Sequence, residues 1–275
     1  MAIGAKLRVG CSGWAYQDWV GPFYPKDAQA KDYLRLYSSV FDTVEIDSSF
    51  YRMPNHFLIN LWKNSTPDRF IFSAKVPKKI THDAKLRDSS ELMAHLYSVL
   101  GGLGNRMGPL IVQLPPSFKY DKDFEALRLF LSEVDTKFKL SIEFRHRSWF
   151  RDDIYDLLRA KNVAFCWAIS QYVETPRVKT ADFIYARMVG DRSITNFGVI
   201  QKDRTAQMIQ MRDDIEKAID DVDSAFLFFN NHFAGFSPES VNEFRRLSGL
   251  MEMDWKGLVG RGNQAEISQR SLMDF

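Results

Sequence analysis

Thr43-Val44-Glu45-Ile46-Asp47-Ser48-Ser49-Phe50-Tyr51-Arg52-Met53-Pro54 opens as a buried strand and ends in a turn. Side chains alternate along a strand, so Val44 and Ile46 share one face while Thr43, Glu45 and Asp47 share the other. A carboxylate inside a sheet is costly unless it is paired. Glu45 therefore needs partners from elsewhere in the chain, or a ligand to act on.

Outward from this stretch, apolar runs of strand length recur at Leu7–Cys11, Phe70–Val76, Leu110–Leu114, Leu140–Phe144, Val163–Ile169, Phe183–Met188 and Ala225–Phe229. Helical patterns fall between most of them: Ala30–Val40, a helix anchored by Phe57–Trp62, Ser90–Leu103, Phe124–Val134, Ile154–Ala160 and Thr205–Ile219, with Glu239–Leu247 last. With Thr43–Asp47 this makes eight Val-, Ile-, Leu- and Phe-rich strands, the pattern of a closed parallel (β/α)8 barrel of the TIM type. An open doubly wound sheet is the alternative. The sixth unit departs from the pattern. Only Ser170–Asp182, with Thr175-Pro176, joins the sixth and seventh strands, so a reduced sixth helix is expected. Residues 1–250 read as one domain. Residues 251–275 read as a tail, weakly structured or packed on the barrel.

Of 275 residues, 45% are hydrophobic and 26% charged, an ordinary globular composition. The net charge of +2 carries no global bias toward nucleic acid or membrane. No apolar run approaches the ~20 residues of a membrane helix, so no membrane partner is expected. Met1-Ala2-Ile3-Gly4-Ala5 leads straight into Lys6 and a strand, and Cys11 and Cys166 sit in apolar runs. Two buried thiols and a reducing cytoplasm are expected.

The strands carry their polar groups late. Glu45, Lys75, Gln113, Glu143 with Arg145, Arg187, and Asn230-Asn231 would point into one mouth at the strand C-terminal ends, where the active sites of such barrels lie. Lys75, Arg145 and Arg187 against Glu45 and Glu143 leave a local charge of +1, suited to an anion. The competing reading is a network that satisfies itself, Glu45 with Lys75 and Glu143 with Arg187. Aromatics crowd the loops that follow the strands. Trp14, Tyr51 and Trp149 are candidates to stack on a substrate, against the plainer reading that they pack the loops. Asp191–Phe197 is a polar loop of the kind that forms a lid.

Several blocks together carry a family resemblance. They are Gly10-Cys11-Ser12-Gly13-Trp14, Asp18-Trp19-Val20-Gly21-Pro22-Phe23-Tyr24-Pro25, Thr43–Tyr51, Phe72-Ser73-Ala74-Lys75-Val76-Pro77, Gln113-Leu114-Pro115-Pro116-Ser117-Phe118, Glu143-Phe144-Arg145-His146-Arg147-Ser148-Trp149 and Phe228-Phe229-Asn230-Asn231. Over roughly residues 7–249 the chain resembles the YecE-like family of uncharacterised proteins. The resemblance implies a TIM-type barrel and brings no reaction with it. It departs at Arg187-Met188-Val189-Gly190, where the family commonly reads Arg-Leu-His-Gly, so a histidine role there does not transfer.

The leading chemistry is hydrolase-type acid–base catalysis on an anionic or sugar-containing small substrate. Glu143 is expected as general base and Glu45 as general acid. Lys75, Arg145 and Arg187 bind negative charge, and Gln113 and Asn230 orient the substrate. Ordinary glycosidase chemistry is disfavoured, because Gln113 and Arg187 stand where its carboxylates belong. Five histidines, with only His146 and His232 near strand ends, do not suit a histidine-rich metal cluster. The residues single out no particular cofactor, and a single divalent cation on Glu45, Glu143 or Asp47 is admissible. The alternatives are a phosphodiesterase- or nuclease-like enzyme, or a non-catalytic nucleic-acid-binding protein. The latter would use Lys78, Lys79, Lys85, Arg87, Arg145, Arg147 and Arg151 as a basic rim.

Overall fold

The computed structural model describes residues 3–257. Its strands are β1 (Leu7–Ser12), β2 (Thr43–Ile46), β3 (Ile71–Lys75), β4 (Met107–Gln113), β5 (Leu140–Glu143), β6 (Val163–Phe165), β7 (Trp167–Ser170), β8 (Phe183–Gly190) and β9 (Ser224–Phe229). All pairings are parallel, in the order β6-β5-β4-β3-β2-β1-β9-β8-β7. The two ends of that order, β6 and β7, are separated in sequence only by Cys166. They are the halves of the single expected sixth strand. The first half pairs with β5 (Ile142↔Phe165) and the second with β8 (Trp167↔Ala186), so the sheet nearly closes on itself as a barrel.

Helices α1 (Tyr33–Val40), α2 (Ser48–Tyr51), α3 (His56–Asn64), α4 (Ser90–Leu100), α5 (Tyr120–Glu133), α6 (Asp152–Arg159), α7 (Thr205–Ala218), α8 (Asn231–Ala234) and α9 (Ser237–Leu247) accompany the strands. No helix lies between β7 and β8, as the short connection requires. Two threonines of that connection mend the split strand instead. Thr180 Oγ1 accepts from Phe165 N and donates to Val163 O, both at 2.7 Å. Thr175 Oγ1 accepts from Ala168 N at 2.7 Å and donates to Cys166 O at 3.0 Å. Backbone groups left over by the incomplete ladder thus find hydroxyl partners, as buried peptide groups must.

Apolar side chains fill two shells. One lies between sheet and helices, where Val44, Ile46, Phe72 and Leu110 meet α1, α3 and α4. The other fills the barrel interior with Ile111, Ala164, Cys166, Phe183, Phe226 and Phe228, so this is a packed core rather than a channel. β1 and β2 approach closely at Gly10, where a Cβ would stand 2.3 Å from Thr43 O. Just above, the Tyr37 hydroxyl accepts from Cys11 N and donates to Thr43 O, each at 2.9 Å, fastening α1 to both strands.

The loop after β1 is largely core. Trp19, Phe23 and Tyr24 are fully buried and pack on Tyr33, Tyr37 and Phe41. The start of the tail closes over them: Trp255 donates to Pro22 O at 3.0 Å, and both ends of the Asn242 amide bind the Met253 backbone. The remainder of the expected tail, 258–275, lies outside the described residues.

Candidate functional site

Strand register decides which polar side chains meet. Ser12 pairs with Glu45 and Glu45 with Ser73 across β1, β2 and β3. The flanking neighbours of this carboxylate are therefore hydroxyls, and its charge partner comes from across the barrel. Arg187 Nη2 donates to Glu45 Oε1 at 2.7 Å, Ser12 Oγ donates to the same oxygen at 2.8 Å, and the Tyr185 hydroxyl donates to Oε2 at 2.7 Å. Ser73 Oγ lies 2.6 Å from the Tyr185 oxygen. Glu143 is saturated in the same way. Arg187 Nη1 and Arg145 Nε donate to it, the latter at 2.7 Å, and Gln113 Nε2 sits 3.1 Å from both of its oxygens. Gln113 reaches it because the two are partners in the β4–β5 register.

Arg187 thus ties β2 to β5 through the barrel centre. Burial disfavours its charge, yet Glu45 and Glu143 more than reverse this and hold its pKa well above the usual value. Burial likewise pushes Glu143 up, but Arg145 and Arg187 prevail and hold it far below the usual carboxylate range. Tyr185 is kept protonated by burial and by Glu45. Of the two expected ion pairs, Glu143–Arg187 forms. Glu45–Lys75 does not: Glu45 is level with Ser73, Lys75 lies two residues further along β3, and its Nζ stands 3.3 Å from Asp47 Oδ1. Counting Asp47, the local charge is zero rather than +1.

Above this network opens a cavity of about 670 Å³. Lys75, Arg145, Gln113, Asn230 and Asn231 line it, and Arg187 reaches its floor, whereas Glu45 and Glu143 lie beneath the floor and do not. The cationic ends therefore face the cavity while Glu45 and Glu143 are hidden; Asp47, beside Lys75, is the compensating carboxylate that shares the lining. Lys75 is 9% exposed, with Nζ 4.5 Å from the centre of the Phe50 ring. Arg145 lies over Tyr172 at 4.9 Å. Among the described residues it binds protein only through Nε, which leaves its terminal nitrogens for a ligand. At this site Arg187 Nε and Asn231 Nδ2 are buried without a hydrogen-bond partner among the described residues, and Asp47 Oδ1 has only its ion pair with Lys75.

The aromatic expectations need correction. Tyr51, 82% exposed on α2, does line the cavity. Trp149 is fully buried, stacked on Phe118 and Phe144, and its indole donates to Phe118 O at 2.8 Å. Trp14 packs edge-to-face on Trp62 and is not among the lining residues. Both belong to loop packing. The acid–base roles expected of Glu45 and Glu143 also lose their footing: both carboxylates are buried beneath the floor, and the pairing that holds Glu143 ionised makes it a poor proton acceptor.

The sequence reading missed His82. A π-helical turn, Lys79–Asp83, follows β3 and folds back over the mouth, placing His82 in the lining beside Phe50. Burial, then Arg145, Lys75 and Lys78, push its pKa down to about 4 against the opposing Asp83. His146, expected near the mouth, instead accepts from Ser148 N and caps a short turn. The polar loop after β8 does form one wall. Asp191 binds Lys202 and Arg204, and Asp18 on the β1 loop accepts from Phe197 N at 2.8 Å.

Among the described residues, no three His, Cys, Asp or Glu side chains gather as a metal site. With Glu45 and Glu143 engaged by Arg187, the donor set envisaged for a divalent cation reduces to Asp47. Much of the envisaged basic rim is matched by acids: Lys78 by Asp83, Arg87 by Asp123, Arg145 by Glu143 and Arg151 by Asp153. No helix among the described residues is long and apolar enough to cross a membrane.

The family model described as protein of unknown function DUF72 matches residues 8–259. The chain is 28% identical over 144 residues to the UPF0759 protein YecE of Escherichia coli (strain K12), covering 52% of this chain and 50% of that one. The match thus spans about half the length of that relative. The UPF0759 protein YunF of Bacillus subtilis (strain 168) aligns over 282 residues at 25% identity, covering 93% of this chain and 98% of that one. Among solved structures, a DUF72 family protein from Thermotoga maritima superposes with TM-score 0.76 at 24% identity, covering 88% of this chain and 98% of that one. One from Enterococcus faecalis V583 gives 0.70 at 16% identity, covering 91% and 98%. Both structural likenesses are of fold.

Proposed function

The chain belongs to the DUF72 family, and from that premise and the chemistry of its cavity we propose an enzyme that acts on a small anionic substrate by hydrolase-type acid–base chemistry. Family membership supplies no reaction, so the reading rests on the site. The observation that carries it is Arg145. Its Nε is fixed by Glu143, and its free terminal nitrogens border the cavity beside Lys75. A guanidinium held this way is preorganised for two-point binding of a carboxylate or phosphate.

The Glu45–Arg187–Glu143 network serves as scaffold in this reading, and Asp47 with Lys75 replaces the two glutamates as the acid–base pair. Asp47 Oδ1 lacks an aligned hydrogen bond and Lys75 lines the cavity, so each can engage a substrate without breaking the buried network. The compartment we propose is the cytoplasm, in keeping with two free, buried cysteines.

The test is a thermal-shift and calorimetric screen of phosphate, sulfate, carboxylates and sugar phosphates, with turnover followed on p-nitrophenyl phosphate and carboxylate esters. An anion at a hundred times its Kd adds about 2.7 kcal/mol of stability. Losing a charge-assisted contact costs about 1.5–3 kcal/mol, so Arg145→Gln should weaken binding roughly tenfold to hundredfold. If no anion binds, the anion-site reading is wrong. If Asp47→Asn retains full turnover on a substrate that wild type hydrolyses, the acid–base assignment is wrong.

A further inference from the structure

The cavity is electrically two-sided. Around the barrel, β3, β4 and β5 form one arc and β8, β9 and β1 another. The first arc contributes Lys75, Lys78, Arg145 and His82 to the lining. The second contributes Asn230, Asn231, Asp191, Tyr16 and Phe197. Its loop cations Lys202 and Arg204 are both tied to Asp191, Arg187 at the floor is held by Glu45 and Glu143, and Arg192 is the cation this arc adds at the rim among the described residues.

After burial, what shifts His82 is the cationic trio Arg145, Lys75 and Lys78, opposed by Asp83. After burial, what shifts Tyr16 is the carboxylate charge of Asp47, with Glu45 behind it. The amide side also holds a buried donor without a partner, Asn231 Nδ2, whose Oδ1 is fixed by Ser237 N and Oγ at 3.0 and 2.8 Å. Tyr16 and Phe197 meet edge-to-face at 5.9 Å and give this side an apolar surface. The volume of about 670 Å³ falls within the range of whole-metabolite sites and far exceeds a bare oxyanion.

We infer that the cavity takes a monophosphorylated sugar or polyol, its phosphate between Lys75, Lys78 and Arg145 and its hydroxyls toward Asn230, Asn231 and Asp191. This deepens the anion-site reading and rests on it. Phosphate sites in such barrels frequently lie after the seventh and eighth strands. Here that end offers amides, a carboxylate and the single loop cation Arg192, against Lys75, Lys78 and Arg145 opposite, so the phosphate is assigned to the opposite arc. Side-chain amides both donate to and accept from hydroxyls, and an ionised carboxylate accepts from them.

The test compares inorganic phosphate, neutral glucose and ribose, and a panel of pentose and hexose monophosphates by calorimetry at one salt concentration. At least one sugar monophosphate should bind about a hundredfold more tightly than phosphate. Lys78→Gln, an exposed change that spares the buried network, should weaken phosphate and sugar phosphate alike. Asn230→Ala should weaken the sugar phosphate and leave phosphate unchanged. Equal affinity of phosphate and all sugar phosphates overturns this inference while sparing the anion site. Loss of phosphate binding in Asn230→Ala with none in Lys78→Gln reverses the assigned ends and also overturns it. If neither phosphate nor any sugar phosphate binds, both readings fall.

Discussion

Replacing Arg187 by Met isolates the central network. Met keeps much of the volume and removes the charge that two buried carboxylates share. Removing one partner of a buried pair typically costs 3–5 kcal/mol, because the other charge stays behind. Here two charges stay behind, but each keeps help: Ser12 and Tyr185 on Glu45, Arg145 and Gln113 on Glu143. The net loss at pH 7 should therefore be about 3–5 kcal/mol in total, rather than twice that. Against a usual stability of about 5–15 kcal/mol, the variant should fold but with little reserve. Urea unfolding at pH 7 and pH 5 provides the assay. In wild type, Glu143 has a folded pKa far below its unfolded value of about 4.3, so its stabilisation is intact above that value and fades only below it. In the variant Glu45 keeps only hydroxyl partners while Glu143 keeps Arg145, so protonation of the stranded carboxylate relieves its buried charge and the deficit shrinks as pH falls from 7 to 5. Adding Glu45→Gln should recover most of the loss. A deficit under about 1 kcal/mol at pH 7, or one that grows at pH 5, would refute this account of the network.

Three further outcomes follow from the geometry. His82 should titrate near pH 4 by NMR. Because its folded pKa lies below its unfolded one, stability should decline as pH falls from about 6.5 toward 4, and His82→Gln should flatten that slope. Tyr37→Phe strands Cys11 N and Thr43 O in the core and should cost about 1–3 kcal/mol by urea unfolding. Burial pushes the Cys11 thiol up to about 12 and Cys166 well above its usual value, so neither should react with a thiol reagent at pH 8 until the chain is unfolded.

The strands were legible because buried parallel strands concentrate Val, Ile, Leu and Phe, and their inward polar residues stood out against that background. The break at Cys166 was not, because it interrupts a hydrogen-bond ladder without changing the apolar run. Glu45 was recognisably in need of a partner. Which cation would serve depended on register, and an offset of two residues sent Lys75 to Asp47. Trp149 and Trp14 misled because an aromatic residue in a loop looks the same whether it faces a ligand or other rings. His82 escaped notice for a related reason. It lies seven positions beyond Lys75 in a stretch without periodicity, and only the turn at Lys79–Asp83 brings it back over the strand ends. A histidine between a strand end and the next helix of a barrel is the weak signal that would have pointed to it.

The shared guanidinium also bears on how the chain assembles. Glu45 belongs to the first half of the barrel, and Glu143 and Arg187 to the second. A fragment of β1 through β4 would enclose a carboxylate with no counterion. One of β5 through β9 would hold an arginine with half its complement. Neither half is electrostatically self-sufficient, so each gains its full set of charge partners only when the two halves meet. An early hemibarrel would have to stay open to water at Glu45 until the last strands arrive.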